Sequence, residues 1–147
     1  RRGLPRIVHT SPLTRAHAVG RCLRSLGWRH VIDVRLIEVD FGVWEGRLWQ
    51  EIPAAEVDAW VADFADHAPG GGERLRQTLQ RVAQWQAPCD GITVVGHAGW
   101  MLARRWLVEH GSEQGDVRMP QASEWPAPPA YGACWVVSGT SLACSSP

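Results

Sequence analysis

The 147 residues carry 15 basic and 15 acidic side chains, a formal net charge of zero, and 45% of them are hydrophobic. Length and apolar content fit one soluble globular domain with a sizeable core. Balanced charge argues against a general nucleic-acid binder, no apolar run approaches the ~20 residues that span a bilayer, and the N-terminus does not resemble a signal peptide.

Taken in chain order, residues 6–10 (RIVHT) are short and β-like. Ser11 and Pro12 then supply a good N-cap and a good first helical residue. Ala16, Val19, Leu23 and Leu26 recur at helical steps, and Gly27 stands where a C-terminal cap is expected. Residues 31–39 (VIDVRLIEV), rich in β-branched side chains, predict a second strand, followed by a loop, 40–46 (DFGVWEG). Pro53 opens a helix over 53–67 with Val57, Trp60, Val61 and Phe64 on one face. The run 69–72 (PGGG) ends it, and a third helix covers 73–86 with Leu75, Leu79, Val82 and Trp85 or Gln86 aligned. Residues 91–97 (GITVVGH) form a continuous apolar strand of the kind buried in a parallel sheet. A helix over 99–111 follows, then a polar, Pro-rich surface loop over 112–130 and a last strand over 132–138.

Alternation of strand and helix gives an α/β class, a three-layer sandwich with a mostly parallel sheet and helices on both faces. We expect a single domain over 1–138 and a frayed tail over 139–147. In such sheets ligands bind outside the carboxyl ends of the strands. That rule selects residues 10–15, 38–46 and 97–100.

Each of these places offers a group with an ordinary alternative. Ser11 and Arg15 open a helix directly after a strand, where main-chain N–H groups and the helix dipole favour an anion. Arg15 opposes the dipole unless an anion lies between, and otherwise it is a surface arginine. His97 ends an apolar strand and precedes Ala98 and Gly99, small residues that let a backbone approach a phosphoryl group. Alone, it is also readable as a satisfied structural histidine. Glu38 precedes a loop with aromatics, an environment that raises a carboxyl's proton affinity and suits a general acid; the alternative is an ordinary loop glutamate. Glu45, Glu73 and the Trp60/Trp85 pair are weaker candidates.

All basic residues are arginines. Coding bias in a GC-rich genome is the plain explanation. The four cysteines, Cys22, Cys89, Cys134 and Cys144, show no zinc spacing and read as reduced, mostly buried thiols of a cytoplasmic protein. The histidines show no metal-binding motif either.

The order of four segments is more specific than any one of them. TSPLTRA (10–16), RLIEVDFGVWEG (35–46), PGGGE (69–73) and VVGHAG (94–99) together resemble the histidine phosphatase superfamily, which includes the phosphoglycerate mutases. The DFGVWEG and PGGGE segments are most similar to its α-ribazole-phosphate phosphatase branch. The resemblance runs from Ile7 to about Trp135. It implies a phosphoglycerate mutase-like fold and a phosphomonoester hydrolase working through phosphohistidine, without metal or other cofactor, on a small phosphorylated substrate. It assigns Arg15 to clamping the phosphoryl group, Glu38 to protonating the leaving oxygen and His97 to stabilising phosphoryl charge. Ser11 and the Ala98 backbone would line the same pocket.

The sequence departs from that family in one respect. The nucleophilic histidine belongs to an Arg-His-Gly motif, and none of the 147 residues forms one. The only Arg-His pair, Arg29-His30, follows a helix and precedes the strand leading to Glu38. The chain also starts Arg1-Arg2-Gly3 without methionine. We therefore expect a domain truncated at its N-terminus, inactive or nearly so by itself, with exposed strand edges that favour self-association. Two other readings stay open: a non-catalytic protein that binds phosphorylated ligands or a partner, and a mutase-type phosphotransferase.

Overall fold

The computed structural model describes residues 3–111 and 116–136. Among them three strands form one parallel sheet: β1 (Ile7–Thr10), β2 (Arg29–Ile32) and β3 (Thr93–Val95), in the order β2-β1-β3. The central strand β1 pairs His9 with Val31 on one side and with Val94 on the other. Four helices accompany them: α1 (Thr14–Ser25), α2 (Ala54–Ala62), α3 (Leu75–Ala83) and α4 (Ala98–His110).

The pleat of β1 shows why helices cover both faces. Successive side chains alternate, and Val8, His9 and Thr10 are all buried. His9 meets Trp85, just after α3, edge-on at 5.9 Å. Thr10 points the other way and is hydrogen bonded to His30, whose ring lies against Gly20 of α1. The α3–α4 side holds the main core: Leu36, Phe64, Leu75, Leu79, Val82, Trp85, Trp100, Ala103 and Trp106. Leu75, Leu79 and Val82 recur at steps of four and three, the stripe a helix needs to bury one face.

The structure corrects several expectations. The strand expected over 31–39 stops at Ile32, because Asp33 accepts the main-chain N–H of Arg35 and starts a single 3-10 turn at Val34–Leu36. Helix α1 starts at Thr14, two residues past the expected Pro12, with Leu13 as its N-cap. Its buried stripe is Ala16 and Gly20, while Val19 and Leu26 face solvent. In α2 Val61 is likewise exposed. The 112–130 segment is more than surface loop: Val117, Met119, Ala122 and Trp125 pack on the core, and Trp106 Nε1 donates to Arg118 O at 2.7 Å. Residues 132–136 form no strand, and 137–138, like the tail over 139–147, lie outside the described residues. Cys22 and Cys134 are exposed and Cys89 half-buried, against the burial expected of them; Cys144 lies outside the described residues.

Two glycine-rich motifs lock together beside the sheet. A Cβ at Gly42 would fall on the Gly70 carbonyl, and one at Gly72 on the Asp40 carbonyl. Gly70 itself has φ +61°, a conformation costly for residues with side chains. The DFGVWEG and PGGG segments therefore meet backbone to backbone, which only glycines allow.

Candidate active site

Strands β1 and β3 are parallel neighbours, so their carboxyl ends emerge side by side. Thr10 pairs with Val95, which brings the residues just beyond each strand, Ser11 and His97, together. Ser11 Oγ lies 2.7 Å from His97 Nε2, 86 residues away in sequence, and both side chains are buried. Arg15, in the first turn of α1, donates from Nε to His97 Nδ1 at 3.1 Å. With Nδ1 accepting, the proton of a neutral imidazole sits on Nε2 and is donated to Ser11 Oγ. That oxygen also accepts the Leu13 N–H at 3.3 Å. Ser11 thus acts as a latch between strand end and histidine, rather than as the N-cap of α1.

His97 is the N-cap of α4, and its backbone is extended there. Ala98 and Gly99 form the first turn, whose main-chain N–H groups have no partner inside the helix. Gly99 N–H donates to Glu38 Oε2 at 3.3 Å, and Val39 N–H donates to Glu38 Oε1 at 2.9 Å. A Cβ on Gly99 would lie 2.6 Å from Glu38 Oε1. This glycine therefore permits the close seating of Glu38 against α4. The aromatics of the following loop turn elsewhere: Phe41 and Trp44 pack edge-on against Trp60. The immediate partners of the Glu38 carboxylate are main-chain amides.

Burial holds the pKa of His97 below its ordinary value, opposed by the Glu38 carboxylate, while Arg15 and Arg81 push further down. The neutral imidazole is therefore favoured, and an anion placed between Arg15 and His97 would favour the imidazolium instead.

Ser11, Arg15, Glu38, His97 and Ala98, the five residues selected from sequence, thus cluster at the carboxyl ends of β1 and β3 and the N-terminus of α4. Glu45 caps its own loop, accepting the Phe41 N–H at 2.9 Å. His9, between the strand edges and Trp85, is buried, with Nδ1 unpaired among the described residues. No group of three or more His, Cys, Asp or Glu that could hold a metal ion occurs among the described residues. Arg81 and Trp100, which bind the segment carrying Glu38, carry no signal in the sequence; Glu73 lies eight positions before Arg81 and ahead of the start of α3, so helical spacing does not pair them.

The family model of the histidine phosphatase superfamily (branch 1) matches residues 1–123. The chain belongs to that superfamily. A Mycobacterium tuberculosis protein described as bifunctional is 38% identical over 105 residues, covering 67% of this chain and 27% of its own length. The chain thus spans about a quarter of the curated relatives it matches. Among solved structures, a mycobacterial glucosyl-3-phosphoglycerate phosphatase shares 26% identity at a TM-score of 0.54, over 73% of this chain and 58% of that one. An Escherichia coli protein proposed to be an α-ribazole-5′-P phosphatase shares 25% identity at a TM-score of 0.56, over 71% and 57%. Among the described residues this chain of the histidine phosphatase superfamily has an α/β fold with a three-stranded parallel sheet and four α-helices.

Proposed function

We propose that the cluster is the phosphoryl-binding and proton-donating part of a phosphomonoesterase site that works through phosphohistidine. The observation that carries this reading is the Ser11–His97–Arg15 hydrogen-bonded set at two parallel strand ends, with Glu38 one main-chain amide away. Arg15 offers its guanidinium to a phosphoryl dianion, His97 donates to it once the anion has favoured the imidazolium and one present partner of the ring is exchanged for the phosphoryl oxygen, and the N-terminus of α4 adds its dipole. Glu38 gives its proton to the leaving oxygen. The 147 residues contain no Arg-His-Gly, so this reading assigns them phosphoryl binding and proton donation and not the nucleophile. The protein works in the cytoplasm on a small phosphomonoester. The DFGVWEG and PGGGE segments favour α-ribazole phosphate, and glucosyl-3-phosphoglycerate is the competing substrate to assay beside it.

The first experiment is the intact mass of the protein from its natural source. A longer polypeptide with Arg-His-Gly should hydrolyse 4-nitrophenyl phosphate. In that form His97→Ala and Arg15→Ala should each lower turnover by about 100-fold or more, the usual loss of a preorganised charge stabiliser. Glu38→Gln should slow alkyl phosphates more than 4-nitrophenyl phosphate, whose leaving group needs no proton; equal losses on both would remove Glu38 from the role of acid. A second reading is favoured by the lack of Arg-His-Gly in this sequence. A natural protein without that motif would be a non-catalytic binder of phosphorylated ligands, detectable by calorimetric titration with inorganic phosphate.

A further inference from the structure

Glu38 sits in a segment with almost no regular structure, between the 3-10 turn at Val34–Leu36 and the Gly42 loop. Its position is nevertheless closely defined, by donors from two helices. Arg81 of α3 donates from Nη1 to Arg35 O at 3.0 Å and to Ile37 O at 2.9 Å. Trp100 of α4 donates from Nε1 to the same Arg35 O at 2.9 Å. Leu36, between these carbonyls, is fully buried. On the far side, Asp40 O accepts the Glu73 N–H at 2.7 Å. The chain is thus fastened before and after Glu38.

The orientation of Arg81 is itself set. Its Nε and Nη2 donate to Glu73 Oε1 and Oε2 at 3.0 and 2.8 Å, a two-pronged pairing. Four donations therefore leave one planar group in two directions, toward a carboxylate and toward two carbonyls. A guanidinium does this and an ammonium does not. The pair is partly exposed, at 18% and 16% of the side chains. As a partly exposed ion pair it adds little to stability. Its geometry, not its strength, is what the surrounding carbonyls use. This also gives the PGGGE segment a task that its place in the sequence does not reveal: the glycines bring Glu73 against Asp40, and Glu73 aims Arg81.

We propose that Arg81, aimed by Glu73, is a positioning residue that holds the Glu38 carboxylate against the N-terminus of α4. Its relevance to catalysis rests on Glu38 being the acid; the placement itself does not. The two are tested apart. In the 15N-labelled full polypeptide, the Gly99 and Val39 amide resonances should shift with the titration of Glu38, because both amides bond to its carboxylate, and Glu38→Gln should abolish that response. In Arg81→Met the Gly99 response should fall by half or more. A smaller fall in folded protein, with only a lower melting temperature, would overturn the proposal and leave Arg81 as a structural ion pair. If Arg81→Met does not fold, Arg81→Lys decides by the same criterion, since it keeps the charge beside Glu73 and loses the fork. In the form that hydrolyses phosphomonoesters, Arg81→Lys should also slow alkyl phosphates more than 4-nitrophenyl phosphate. A polypeptide with no turnover would sink the phosphatase reading, while the Gly99 response would still decide the role of Arg81.

Discussion

At the scale of single residues, Gly99 separates two effects of known size. Replacing a helical glycine by alanine gains up to about 1 kcal/mol from backbone entropy. Here the new Cβ would press on Glu38 Oε1 and Val39 Cγ2, both at 2.6 Å, and overpacking costs about 1–3 kcal/mol. Gly99→Ala should therefore fold with a slightly lower melting temperature and a displaced Glu38, seen as loss of the Gly99 amide's titration response.

Three histidines, two buried and one half-buried, make a second prediction. His97, His9 and His30 all have pKa values lowered, chiefly by burial. The unfolded chain binds protons near pH 6.5, where the folded chain does not yet do so. The unfolded state then holds more protons, so stability falls as pH drops through about 6.5 toward the lowered folded values. Denaturant midpoints measured from pH 7.5 to 5.5 should decrease. A flat profile would mean that these rings are not desolvated. Saturating phosphate should reduce the slope, because an anion beside His97 stabilises its protonated form.

At the scale of elements, α1 shows how a neighbour overrules local preference. Its sequence suggests an apolar stripe through Val19 and Leu26, yet the helix turns Ala16 and Gly20 inward. The cause is His30 on β2: its ring fills the space a Cβ at Gly20 would need. His30 in turn bonds Thr10, the last residue of β1, immediately before Ser11. Gly20→Ala should destabilise the protein by about 1–3 kcal/mol despite the gain in helix propensity. Thermal denaturation would check this, and a stabilised variant would show that His30 moves aside at little cost. Strand β2 teaches the same lesson. The β-branched, partly alternating residues over 31–39 predict a long strand, but the Asp33 side chain captures the Arg35 N–H and turns the chain. That turn brings Glu38 toward α4, which a continuous strand would not.

At the scale of the whole molecule, the core on the α3–α4 side is rich in tryptophan. Trp85 and Trp100 meet edge-on at 5.6 Å, and Trp106 stacks on His110. Leu79 is 1% exposed in this core, so Leu79→Ala should cost about 2–5 kcal/mol by denaturant unfolding. Among the described residues the three-stranded sheet has β2 and β3 at its edges. Beside β3 lies a cavity of about 200 Å³ bordered by Trp85, Val94, Trp100, Met101 and Arg104. Unpaired strand edges favour association. Sedimentation velocity across a concentration series should show self-association of the 147-residue chain, and a constant monomer would contradict it. No helix among the described residues is long and apolar enough to cross a membrane.

The sequence by itself determined the local facts: the TSPLTRA and VVGHAG turns at strand ends, the stripe of α3, the breaks at PGGG, and the five candidate residues. These are legible because strand and helix periodicities, and the chemistry of turns, act over a few neighbouring positions. The pairing of Ser11 with His97, the inward face of α1, the end of β2 at Ile32 and the grip of Arg81 on the Glu38 segment were decided by tertiary structure. Each depends on atoms far apart in sequence, where competition between partners, rather than local preference, sets the lowest free energy. A lone serine, histidine, arginine or glutamate is chemically ambiguous. It is the parallel register of β1 and β3, carrying their ends to one place, that brings Ser11 against His97.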